Sequence, residues 1–293
     1  MTKRISIAVL LISAIILTSP SLSIAGTKAA PAEFTLTDKY LITVKVLLNG
    51  EGPYDFLFDI GSTMTAVEPS LAAQLQLKAN EGATITTASQ QSAVSYSFID
   101  SVTFSGKTVQ KIACIITSLT ELQKLNPKIR GVLGGNYLSH FNFLIDYKAR
   151  MITFEENDEL GAALYGFQLS SRFDANRNSV RAAVPNVSAN AYLVLDSAIP
   201  NVVLFRQLDS GTASDKRIVT TLNGSATARS IKLKSLVVGQ TTLTNLLAAF
   251  VSAERKEDGL LPTSLFDSVY INNKIGMVML NPSSHPPAST SLR

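Results

Sequence analysis

Asp59 and Asp196 are the residues of this chain best suited to do chemistry together. Each closes an apolar run, Phe56-Leu57-Phe58 or Leu193-Val194-Leu195, and each enters a short turn, Ile60-Gly61-Ser62 or Ser197-Ala198. Apolar residues resume soon afterwards, and the two aspartates lie about half the chain length apart. A carboxylate at the end of a buried strand is costly unless it has a partner. Two carboxyls in one site do not both ionise readily, so they share a proton and can act as acid and base together. Such a pair activates a water against a carbonyl with neither a metal nor a covalent intermediate.

The elements that must position these residues repeat along the chain. Tyr40, Ile42, Val44, Val46 and Leu48 alternate with the period of a half-buried strand, and Asn49-Gly50 turns the chain into the strand Tyr54–Phe58. Pro69, followed by Leu71-Ala72-Ala73-Gln74-Leu75, predicts a short helix. Residues 83–117 are β-rich around a Ser105-Gly106-Lys107 turn, and residues 128–154 hold Gly131-Val132-Leu133-Gly134, a helix-like piece and two strands. The second half repeats this order. Val202–Phe205 follows Asp196, Asn223-Gly224 marks a hairpin, and Gly239-Gln240 separates two strands. Gly259-Leu260-Leu261-Pro262 then mirrors the Gly131 block, and 274–280 mirrors 150–154. The pattern predicts an all-β fold of two pseudo-symmetric halves, each a β-sandwich or a barrel-like lobe. The expected segments are 1–25 as a signal peptide, 26–165 and 166–281 as the lobes, and 282–293 as a disordered tail.

Composition narrows the function classes. The 293 residues are 46% hydrophobic and 16% charged, enough for a substantial core. A formal charge of +4, partly due to Lys3 and Arg4, argues against nucleic-acid or anionic-membrane binding. Lys3-Arg4, the apolar stretch 5–17 and Ser23-Ile24-Ala25 have the form of a secretory signal, so export to the periplasm or beyond is expected. An uncleaved anchor is the alternative, although the stretch is shorter than the roughly 20 residues a spanning helix needs. Cys114, the single cysteine, lies in an apolar run and suits a core position.

The run Phe56–Ser62, with Gly131–Gly134 downstream, resembles the aspartic peptidases, specifically the retropepsin-like bacterial group with two lobes fused in one chain as in pepsin-like enzymes. The resemblance spans residues 40–280 and implies two pseudo-symmetric β-barrel lobes with the active site in the cleft between them. It implies catalysis by Asp59 and Asp196, support from Gly61, Ser62 and Ser197, and a flap near Thr87, Ser89 and Gln90. It also implies a peptide or protein substrate, no cofactor, no metal, and action as a monomer. Three departures stand out. Ile60 replaces the hydroxyl residue that would bond across the lobes, Ala198 replaces the glycine of the second motif, and Ile199 replaces a small hydroxyl residue. The flap region also lacks glycine, with Tyr96 only on its returning strand.

Two further readings stay open: a degenerate peptidase-like module that binds extended peptides in its cleft by strand addition, and an unrelated two-domain β-protein. Other chemistries fail on inventory. His140 and His285 are the only histidines, no His/Cys spacing suits zinc, and Gly131–Gly135 lacks the Lys-Ser/Thr of a phosphate loop.

Overall fold

The computed structural model describes residues 31–86, 91–184, 188–205, 213–221, 224–251 and 255–284. The expected signal segment, the flap candidates Thr87, Ser89 and Gln90, Asn223 and His285 lie outside the described residues. Lobe one holds β1 (Ala32–Glu33), β2 (Thr35–Thr37), β3 (Leu41–Leu48), β4 (Glu51–Phe58), β5 (Thr65–Val67), β6 (Asn80–Thr86), β7 (Gln91–Phe104), β8 (Lys107–Ile116), β9 (Ile129–Leu133), β10 (Phe143–Asp146) and β11 (Met151–Phe154). Its helices are α1 (Pro69–Gln74), α2 (Thr120–Leu125) and α3 (Gly135–Leu138), with α4 (Glu159–Ala162) on the way to lobe two. Lobe two holds β12 (Gln168–Asp174), β13 (Arg177–Val184), β14 (Ser188–Asp196), β15 (Val202–Leu204), β16 (Ala213–Thr221), β17 (Gly224–Val238), β18 (Thr241–Phe250), β19 (Gly259–Pro262), β20 (Ser268–Asn272) and β21 (Met277–Leu280).

The two lobes share one topology. Strand order in lobe one is β2-β3-β4-β9-β5-β8-β7-β6 with an added β3–β7 pairing. Lobe two runs β12-β13-β14-β19-β15-β18-β17-β16 with an added β13–β17 pairing, so each strand has a counterpart numbered ten higher. Below both, β1-β11-β10-β20-β21-β12 forms a sheet to which each lobe contributes three strands. Its central seam, Phe143↔Ile271 and Ile145↔Val269, crosses between the lobes and is fully buried. One apolar cluster, including Phe58, Phe143, Leu195 and Ile271, runs through both lobes beneath the seam.

The aspartate-bearing strands are buried on both faces near their ends, which accounts for their unbroken apolar runs. Phe56, Leu57 and Phe58 are all buried, as are Leu193, Val194 and Leu195. Each lies parallel to an apolar-glycine strand, with Phe58↔Leu133 and Asp196↔Pro262 at the ends. Two glycines let those strands fit so tightly. A Cβ on Gly131 would come within 2.2 Å of the Phe56 ring, and one on Gly259 within 2.2 Å of the Val203 carbonyl oxygen.

One expectation needs correction at the C-terminus. A loose tail from residue 282 does not begin there, because Ser283 and Tyr165 exchange two backbone hydrogen bonds of 2.7 Å and Asn281 Oδ1 accepts the Asp267 amide. Composition rich in Pro and Ser did not reveal that backbone pairing to a residue before β12 holds this stretch. Cys114 is buried in the core.

Candidate active site

Asp59 and Asp196 leave their strands where the two lobes meet. The Asp59 amide still bonds to Leu133 O at 3.1 Å, continuing the β4–β9 pairing into the turn. Its side chain turns back on its own loop, where Oδ1 accepts the amides of Gly61 at 2.9 Å and Ser62 at 3.2 Å. Asp196 repeats the device with a single bond, Ala198 N to Oδ1 at 2.7 Å. The loops meet at Gly61. A Cβ there would lie 2.4 Å from both Cγ and Oδ2 of Asp196, so the Asp59 loop presses its backbone onto the opposite carboxylate.

Ser197 ties the loops together. Its Oγ donates to Phe58 O at 2.7 Å and accepts from Ile60 N at 3.2 Å, and the residue is only 1% exposed. No hydroxyl reaches back the other way, since position 60 is a buried isoleucine packed into the shared core. Ser62 does not act as expected. Its hydroxyl donates to Met64 O at 2.9 Å, and it serves Asp59 through its backbone amide. The side chain closes its own turn by bonding to a backbone carbonyl two residues on.

Further polar groups hold the loops from behind. In lobe one, Asn136 Oδ1 accepts both the amide and the hydroxyl of Thr65. In lobe two, the fully buried Thr263 donates to Asp196 O at 3.3 Å and shares a 2.6 Å hydrogen bond with Tyr147 OH. These supports went unread in the sequence, where nothing but their places beside the apolar-glycine blocks marked them.

Burial dominates the electrostatics. It pushes Asp59 up to about 6 against the pull of the Gly61 and Ser62 amides and of the Arg177 charge. It pushes Asp196 up to about 8, helped by the Asp59 charge and opposed by the Ala198 amide and Arg177. The two carboxyls sense one another, so these values belong to the pair. Near neutral pH the pair shares one proton and carries one negative charge. Arg177 is a cation that sequence reasoning missed. It opens β13, directly after a turn whose Asn176 side chain donates to Thr63 O at 3.4 Å.

Among the described residues, no group of three or more His, Cys, Asp or Glu side chains could hold a metal ion. None of their helices is long and apolar enough to cross a membrane. The exposed His140 lies on the rim of a polar surface groove with Glu155 and Lys274, which neither aspartate lines.

Comparison with known proteins agrees with the first lobe. Residues 43–137, which include Asp59, Gly61 and the Gly131 block, match the aspartyl protease family model. Among solved structures, a retropepsin-like aspartic protease from Rickettsia conorii is similar at 19% identity, over 40% of this chain and 90% of that one, with a TM-score of 0.31. No curated protein matches. The family match falls on the lobe that carries Asp59, and lobe two repeats the strand order of that lobe.

Proposed function

We propose that this protein is an exported aspartic endopeptidase in which Asp59 and Asp196 activate one water. Asp59, ionised and fixed by two backbone amides, takes a proton from that water. The hydroxide attacks a peptide carbonyl while protonated Asp196 donates to the carbonyl oxygen, and a proton then passes to the leaving amine. Both aspartates come from one chain, so a monomer suffices. The substrate is an extended peptide lying between the lobes, and the apolar N-terminal stretch 5–17 supports delivery to the periplasm or beyond.

The observation that carries this reading is the contact of the Asp59 loop with the Asp196 carboxylate at Gly61, locked by Ser197. A binding module without catalysis is the second reading. It is favoured by the missing hydroxyl at Ile60 and by the Ser62 side chain pointing to Met64 O. Incubation of the purified protein with a peptide library from acidic to neutral pH separates them. Cleavage by the parent that is lost in both Asp59→Asn and Asp196→Asn supports the peptidase. Peptide binding without cleavage supports the module.

A further inference from the structure

The pseudo-symmetry of the two lobes fails in charge beside the aspartates. In lobe one, the register Thr43↔Leu57, carried two residues further, sets Leu41 opposite Asp59. In lobe two, the register Ser179↔Val194, carried equally far, sets Arg177 opposite Asp196. Leu41 is buried in an apolar cluster with Leu119 and Val132, against which Tyr40, Val94, Leu122 and Ala198 pack part-buried. On the lobe-two side the same position carries a guanidinium.

That guanidinium is under-used by the protein. Its Nε is buried with no hydrogen-bond partner, and Nη1 reaches Glu257 Oε1 only at 3.4 Å. Glu257 is also shared with Arg255, at 3.7 Å. Arg177 does not stand alone. Strand alternation and the pairing Arg172↔Ser179 put Arg172, Arg177 and Arg181 on one face. Tyr192 stands opposite Arg181, with the exposed Arg172 guanidinium 3.3 Å from its ring centroid. A row of cations therefore leads away from Asp196, whereas in lobe one the position matching Arg177 is the buried Leu41 and the one matching Arg181 is Lys45, ion-paired to Asp55. A planar guanidinium with spare donors is matched best by a carboxylate.

We propose that the lobe-two side of the cleft is a subsite for a substrate carboxylate, held by Arg177. This rests on the cleft being the peptide site, but not on the pair being catalytically active. The carboxylate could be an Asp or Glu side chain or a chain terminus, and the test separates them.

Fluorescence anisotropy on the full-length Asp59→Asn protein would compare three peptides of one apolar–acidic sequence. One has an internal Glu and an amidated end, one has Gln and an amidated end, and one has Gln and a free end. The expected result is about tenfold tighter binding of a carboxylate peptide than of the doubly neutral one. Preference for the Glu peptide assigns the subsite to side chains, and preference for the free-ended one assigns it to termini. Adding Arg177→Leu should reduce the ratio to near one, Arg177→Lys should keep part of it, and Arg177→Glu should turn the preference to a Lys peptide. Equal binding of all three peptides, or no binding of any, overturns the proposal. Cleavage by the parent with no acidic or terminal preference also overturns it and leaves the peptidase standing. A preference in binding without cleavage by the parent keeps the subsite and removes the peptidase.

Discussion

The Ser197 hydroxyl is hydrogen-bonded to the Phe58 carbonyl at 2.7 Å, a bond between residues 139 positions apart. With the Ile60 amide as its donor partner, this one side chain satisfies two buried backbone groups of the opposite lobe. Position 60 carries no hydroxyl to reciprocate. The direct hydroxyl link between the two aspartate loops thus runs through a single residue, assisted by the Asn176–Thr63 and Tyr147–Thr263 hydrogen bonds between the lobes, by the sheet beneath and by the close approach at Gly61.

Replacing Ser197 by Ala should therefore harm activity more than folding. It would orphan the Ile60 N–H and the Phe58 C=O in a buried place, a cost of about 3 kcal/mol. The seam Phe143↔Ile271 would still hold the lobes together. A carboxylate displaced by even part of an ångström loses much of its catalytic effect, so kcat should fall about 100-fold. Thermal unfolding and peptide-cleavage kinetics on the same variant check both parts. Equal losses in the two would show that Ser197 only holds the fold together.

The pH profile follows from the shared proton. Catalysis needs one carboxyl ionised and the other protonated. With Asp59 raised to about 6 and Asp196 to about 8, kcat/KM should describe a bell with limbs near those values. Below the lower limb the base is lost, and above the upper limb the acid is lost. Arg177 lowers both groups, so Arg177→Leu should move both limbs upward. Rates measured from about pH 4 to 10 would show this, and an optimum near pH 3 would contradict it.

What the sequence disclosed follows from where each property is encoded. Asp59 and Asp196 were legible because a strand buried on both faces needs a continuous apolar run, and an acid at its end is conspicuous. The repeat was legible because turn residues such as Ser105-Gly106 and Gly239-Gln240 must recur wherever the topology recurs. Arg177 was invisible, because only strand register brings it opposite Asp196. The rotamer of Ser62 was equally hidden, since it depends on how near the Met64 carbonyl lies. The bonded stretch up to Ser283 was hidden because its partner, Tyr165, lies more than a hundred positions earlier.

Gly61→Ala tests the contact between the loops directly. The added methyl carbon would meet Asp196 Cγ and Oδ2 at 2.4 Å and Cβ at 2.9 Å, well inside any tolerable separation. Either Asp196 rotates away or the lobes part slightly. Cleavage should drop by about two orders of magnitude, while far-UV circular dichroism stays that of the parent. Retention of parental activity would mean that the two loops are not held against one another in solution.

Asp196→Asn should stabilise the protein, and more so as pH rises. Both carboxyls have folded-state values above the ordinary 3.8, so the folded protein holds protons more tightly than the unfolded chain. Stability is then greatest when both are protonated, near pH 4 and below. It declines as pH rises through about 6 and about 8, where folding must bury a second charge beside the first. The carboxamide introduced by the substitution would still accept the Ala198 amide through its oxygen and carries no charge. The variant and the parent should melt at similar temperatures at about pH 4, and the variant on the order of 5 °C higher at about pH 8 to 9. A parent that gains stability over this range relative to the variant would show that the two aspartates are stabilised as ions in the fold, which would contradict a shared proton.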